Sequence, residues 1–236
     1  FFQKNSAENV NVLGSNIQFS KSIGTNSRLD YGTETYYNNV DSRAYELNLL
    51  DSTTSSINSR YPNGGSNTFF PAIYGSYNLK KNKLSLIGGI RYTWNQASAI
   101  FNDTLLDFLS DDFEIKRHSL SVSISSYFYP NETTKIFLDL STGFRAPNID
   151  DLGKVFIKDQ FLTVPNSQLV PEYAYNFSLG IGKKINFNNI QFSFSSSSFL
   201  TILDNVITKQ SLEINGSSLI YYDSNYYEIL ANQNNA

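Results

Sequence analysis

Apolar residues recur at every second position along most of this chain, while the helical spacing of three and four is nearly absent. In residues 118–128, Leu120, Val122, Ile124 and Phe128 alternate with Ser119, Ser121, Ser123, Ser125 and Tyr127. Successive Cβ atoms point to opposite faces of a strand, so this segment has one oily and one hydroxylated surface. Leu84, Leu86, Ile90, Tyr92 and Trp94 repeat the pattern, as do Ile136, Leu138, Leu140 and Phe144. Tyr173, Tyr175, Phe177, Leu179 and Ile181 do so again. The pattern predicts an all-β, antiparallel fold.

Other segments are less regular. Residues 27–38 place Leu29, Tyr31 and Tyr37 on one face, and residues 68–79 do not reveal their oily face. The parity change between Val12 and Ile17 predicts a bulge near Gly14. Residues 189–204 begin with Ile190, Phe192 and Phe194, then enter the serine run 195–198. Eight strands of about 10 to 13 residues result, with a further hairpin expected from 218–223 and 226–232.

The connections alternate in length. Short ones fall at 21–27, 80–83, 130–134 and 183–189, and long ones at about 39–67, 96–116, 146–172 and 205–218. Short turns at one end and long loops at the other characterise outer-membrane barrels, whose tilted strands need about 9 to 11 residues to cross. A soluble sandwich has shorter strands, of about 5 or 6 residues. In lipid every backbone polar group must pair internally, so a sheet crosses only as a closed barrel with its apolar face outward. That explains a membrane chain with a mean hydropathy of -0.30. With short turns placed in the periplasm, Tyr92, Trp94, Tyr173 and Tyr175 fall at the outer interface and Phe128 and Tyr129 at the inner one.

The bulk numbers remove other classes. A net charge of -3 without a Lys/Arg cluster argues against nucleic acid as a partner. No cysteine exists for a disulfide or thiolate site. No apolar run reaches the roughly 18 residues of a membrane helix. One histidine, His118, supports no nucleophile–base–acid constellation, so no enzyme is expected. His118 sits at a strand end on the oily face, as an interfacial residue would. Gly180-Ile181-Gly182 lies within a strand and has no following helix to form a phosphate loop. The chain starts at Phe1 without a charged-then-apolar leader, as an excerpt of a longer protein would.

Gly143-Phe144-Arg145-Ala146-Pro147-Asn148, followed by Pro165-Asn166-Ser167-Gln168-Leu169 and Pro171-Glu172, resembles the paired "FRAP" and "NPDL…PE" boxes of TonB-dependent outer-membrane receptors. Residues 29–34 and Gly88-Gly89-Ile90-Arg91-Tyr92 resemble other strands of that family, and the resemblance spans most of 9–236. It implies that 1–236 is part of a barrel of about 22 strands around a plug. The plug and the remaining strands lie outside this sequence. The implied partners are outer-membrane lipid, the TonB complex acting through the plug, and a small iron complex or its carrier protein. No cofactor is implied beyond haem or a ferric siderophore as transported ligand. The segment after the first box resembles the haem/haemoglobin-type receptors, many of which place a ligating histidine between the boxes. Residues 148–172 contain neither histidine nor tyrosine.

Arg145 has lumen-facing parity at the mouth, where a guanidinium can grip an anionic ligand such as a propionate, or pair with Asp139 or a plug carboxylate. Asn148, Asp150, Asp151, Lys154, Lys158, Asp159 and Gln160 are expected to be exposed loop residues and are the other ligand candidates. In loop 39–67, Arg43, Tyr45, Tyr61 and Asn63-Gly64-Gly65 could meet a large ligand. Asp103, Asp107, Asp111, Asp112 and Glu114 match no calcium-loop template. Two other functions remain open. A self-contained small outer-membrane barrel, adhesive or structural, requires its first and last strands to pair. A secreted glycan-binding β-sandwich requires the apolar faces to be buried between two sheets.

Overall fold

The computed structural model describes residues 1–57, 59, 61–101, 112–152, 156–188, 190–222 and 224–235. In chain order the elements are β1 (Phe2–Ile23), β2 (Ser27–Asn48), β3 (Thr54–Ser56), β4 (Ser66–Lys81), β5 (Leu84–Ile100), β6 (Asp112–Asn131) and β7 (Thr134–Arg145). A one-turn helix α1 (Ile149–Leu152), β8 (Phe156–Lys158), β9 (Phe161–Thr163), β10 (Glu172–Phe187) and β11 (Ile190–Asp204) follow. The chain continues with β12 (Val206–Ser211), β13 (Leu219–Tyr222) and β14 (Asn225–Asn235).

The long strands form one antiparallel meander in the order β1-β2-β4-β5-β6-β7-β10-β11, with β3 added beside β2. A second sheet, β12-β14-β9-β8 with β13 on β14, is built from the segment between β7 and β10 and the segment after β11. The expected hairpin at the end of the chain therefore forms, as β13 and β14, but joins the second sheet and does not extend the first. The strands also outrun their predicted lengths: β1 and β2 span 22 residues each and β6 spans 20. Much of what reads as loop at 39–67 and 96–116 is strand continued past the oily band, because polar residues there still pair backbone to backbone.

Register explains why the oily positions alternate. Ile90 pairs with Val122, Ile124 with Leu140, and Leu140 with Phe177, so one apolar face runs unbroken from strand to strand. It also assigns the ambiguous strand, because Ile73 lies opposite Tyr92 and Leu79 opposite Leu86. This face is open: Ile73 is 59% exposed and Ile124 58%. A sandwich would have buried it against another sheet, so that alternative fails. Among the described residues β1 and β11 do not pair with each other, as a self-contained barrel of these strands would require.

One hydrogen-bonded row starts beside the first turn at Ser27 and continues through Leu79, Leu86, Ser126, Leu138, Leu179 and Ser198. Followed along such rows to β10, the four short turns arrive at Leu179, Ile181, Lys183 and Phe187 in succession. The turns step steadily along the strand direction, which is the stagger that a sheet needs to curve into a barrel.

No bulge interrupts β1 at Gly14, since its pairing with β2 runs unbroken from Phe2–Asn48 to Ile23–Ser27. Val10 and Val12 simply face inward, and a Cβ at Gly14 would lie 2.8 Å from the Tyr36 ring. The register shift falls instead between Phe128 and Asn131, around Pro130, which has no N–H to donate.

Candidate functional site

The segment between the two proline-bearing boxes is folded into a cap against the inner face of the sheet. β7 stops at Arg145, and Pro147 is fully buried two residues later. Asn148 and Asp151 cap α1 reciprocally: Asn148 Oδ1 accepts the Asp151 N–H at 2.8 Å, and Asp151 Oδ2 accepts the Asn148 N–H at 3.0 Å. The turn presents Ile149 and Leu152 downward. With Leu169 they pack on Ala97, Ala99, Phe101 and Ile115, flanked by Tyr61, Phe113 and Ile207. Alanines at 97 and 99 let the cap approach the wall closely. Burying Leu152 and Leu169 contributes about 1.5–3 kcal/mol each.

A second apolar cluster, Leu162, Val164, Ile229 and Ala231, knits β9 to β14. These two strands are parallel, with Phe161 opposite Glu228 and Thr163 opposite Leu230. The loop that follows β11 thereby holds the loop that follows β7. Asparagines complete the seam. Asn166 Nδ2 donates to the Asn232 carbonyl at 2.8 Å, and Asn232 Nδ2 to the Asp151 carbonyl at 2.7 Å. Asn234 accepts the Val170 N–H at 2.9 Å and donates to the Val170 and Asn205 carbonyls.

Arg145 stands at the junction. Its Nε meets Glu172 Oε2 and its Nη1 meets Asp151 Oδ2, each at 2.5 Å. The other Glu172 oxygen accepts the Ile207 N–H at 2.6 Å, so one guanidinium ties β7, α1, β10 and β12 together. Arg145 and Glu172 lie one residue beyond Phe144 and Tyr173, whose rings sit 6.3 Å apart on the apolar face. The node is thus outside the apolar band, on the inner side. There the Arg145 hydrogen bond is the main cause holding the Glu172 carboxyl below its ordinary value, against an opposing push from burial. Glu172, followed by Asp151, in turn raises Arg145 above the usual guanidinium range.

The expected site residues divide accordingly. Asn148, Asp150, Lys158, Asp159 and Gln160 are exposed. Asp151 is not: only 15% of its side chain is accessible, because the helix cap and Arg145 consume its carboxylate. Asp139 is not the partner of Arg145, since the two carboxylates across the loop reach it first. Lys154 lies outside the described residues, as do Asp103, Asp107 and Asp111. Among the motif residues, Pro165, Leu169 and Pro171 are buried, Phe144, Ala146, Asn166 and Glu172 half-buried, so the boxes frame the cap.

Sequence reasoning missed Arg117, whose Nε donates to the Leu169 carbonyl at 2.6 Å and Nη2 to Ser167 at 3.1 Å. Its inward parity beside Ser119 was the available signal. It also missed Asn232 and Asn234, which had only an asparagine-rich terminal stretch to mark them. Among the described residues no group of three or more metal-ligating side chains occurs. His118 sits as anticipated on the apolar face, opposite Trp94, with Nδ1 2.6 Å from the Tyr92 hydroxyl.

The family described as "TonB dependent receptor-like, beta-barrel" matches residues 2–234. The chain therefore belongs to the TonB-dependent receptor-like β-barrel family, a family of the outer membrane. Solved structures share the fold. The "Copper transporter OprC" superposes with a TM-score of 0.70 at 12% identity, covering 98% of this chain and 34% of that one. A Serratia marcescens hemophore receptor HasR double mutant, in complex with its hemophore HasA and heme, gives 0.65 at 17% identity, covering 99% and 38%. The FrpB iron transporter from Neisseria meningitidis (F3-3 variant) gives 0.63 at 13%, covering 96% and 31%. The chain thus spans about a third of the length of these structures. No curated protein matches it.

Proposed function

We propose that this chain is part of the membrane-spanning wall of a receptor that imports an iron complex, with energy delivered by the TonB system. The observation that carries the reading is the combination of an unbroken exposed apolar face with turns that step steadily along β10. Such a face is stable only in lipid, and such a stagger suits a closed, tilted barrel. Short turns then face the periplasm and the cap faces outward. The rest of an approximately 22-stranded wall, and the plug through which TonB acts, belong to the remainder of the protein.

Haem is the first choice of cargo and a ferric siderophore the second, taken free or from a carrier protein. The resemblance of the segment after the first box to haem/haemoglobin-type receptors supports this order. The ligand surface is the outward side of the cap, with exposed Asn148, Asp150, Lys158 and Gln160, and Lys154 between them in sequence. Asp151 positions Arg145. An incoming propionate would compete with Asp151 and Glu172 for that guanidinium.

Titration of the full-length receptor with haem tests the assignment. A Soret shift is expected, with weaker binding in Arg145→Ala. No shift in the wild type removes haem and leaves the siderophore, which direct binding of a ferric siderophore to the same protein would report. A shift unaffected by Arg145→Ala removes Arg145 from the site.

A further inference from the structure

The cations of the chain are unevenly placed. Lys80, Lys81, Lys135, Lys183 and Lys184 all lie at the short-turn end, with Lys21 close by on β1. Lys83, in a turn, donates to the Pro130 carbonyl at 2.5 Å. Asp30 is buried against Arg28 at 2.9 Å, so Glu132 is the exposed carboxylate among the described residues of this rim. The ion pairs lie elsewhere: Arg91–Glu34 within the wall, Arg43–Asp41, Lys116–Glu114 and the Arg145 node toward the long loops. Among the described residues none of the rim lysines has a carboxylate partner.

Strand parity sorts these lysines onto two faces. Lys80, Lys135 and Lys184 point inward, and Lys135 Nζ lies 4.4 Å from the centre of the Tyr127 ring. Lys21, Lys81 and Lys183 share the apolar outer face. Lys21 stands between Phe19 and Ile23, Lys183 between Ile181 and Ile185, and Lys81 opposite Leu84, all of these apolar neighbours being exposed. A lysine stem covers apolar surface while its ammonium reaches for water or an anion. On a face that meets lipid, the anion within reach is a headgroup, because a soluble protein cannot approach from that side.

We propose that Lys21, Lys81 and Lys183 form a binding belt for anionic phospholipid headgroups in the periplasmic leaflet. The belt rests on the membrane-wall reading above. Each ammonium takes one phosphate while its stem lies among the acyl-chain contacts of the neighbouring isoleucines, leucines and phenylalanine. The absence of carboxylate partners among the described residues leaves this charge for the lipid to neutralise, which selects phosphatidylglycerol over the zwitterionic phosphatidylethanolamine.

The test uses the full-length protein in vesicles of phosphatidylethanolamine and phosphatidylglycerol, extracted with mild detergent and weighed with its retained lipids by native mass spectrometry. The wild type is expected to enrich phosphatidylglycerol about tenfold over the bulk mixture at low salt. The triple variant Lys21→Gln, Lys81→Gln, Lys183→Gln is expected to fall near parity, while Lys80→Gln, Lys135→Gln, Lys184→Gln keeps the enrichment. Wild-type enrichment that persists in the outward triple variant, or is lost equally in both, overturns the belt. Fractionation and heat-modifiable gel mobility are followed in parallel. A protein that is absent from the outer membrane sinks the wall reading itself, whereas a correctly inserted wild type without lipid preference sinks the belt alone.

Discussion

Removing the Arg145 side chain would leave the Asp151 and Glu172 carboxylates, each mostly enclosed, without their shared cation. Arg145→Ala should destabilise the cap by ~1–2 kcal/mol, between the worth of an exposed pair and a buried one. Hydrogen exchange at the Leu152 and Asn166 amides, which bond within the cap, should speed up while the middle of the sheet stays protected. Glu172 adds a pH dependence of known sign. Its carboxyl is held below the ordinary value of 4.5, so its contribution is complete above that pH and is lost as pH falls through the depressed value. Acidification below about 4.5 should loosen the cap, and Glu172→Gln should flatten that profile; an unchanged profile would exclude Glu172 as the titrating group. The sequence marked Arg145 and Glu172 through the motif pair but could not show that they bind each other. Pairing across a loop depends on how the loop folds, and loop 146–172 carries no periodicity.

The cap is an element made from the β7–β10 connection and the segment after β11, and asparagine side chains fasten its seam. Asn234 serves both the N–H and the carbonyl of Val170. Asn234→Ala leaves those groups and the Asn205 carbonyl without it, and should cost about 1–3 kcal/mol of cap stability. Limited proteolysis between β13 and β14 would report it as faster cleavage. Leu169→Ala, which opens a void against Ala97 and Ile115, should cost about 2–5 kcal/mol by the same assay. The wall strands were legible because period-two alternation is a local signal, and register then assigned even β4. The second sheet was not. β9 is three residues long and its partner β14 lies more than sixty residues away, so no window of sequence contains both. Strand ends were also misjudged, since pairing continues into polar residues that carry no oily stripe.

At the scale of the whole molecule, the two faces of the sheet should tolerate charge very differently. Ile124→Lys puts an ammonium in the middle of the apolar face and should cost about 2–4 kcal/mol in vesicles, whereas Ser123→Lys on the inner face should cost little. Urea unfolding of the reconstituted protein would separate the two, and equal costs would contradict a lipid-facing side. The parallel contact of β9 with β14 also imposes a chronology. The chain between them includes β10 and β11, so β14 returns to β9 only by closing a loop that spans two wall strands. Closing so long a loop carries an entropic cost that local pairing does not recover, so the seam should be the late, slow event of assembly. A chain caught midway would have its wall strands paired and its cap still unlatched, and added protease would cut that species first.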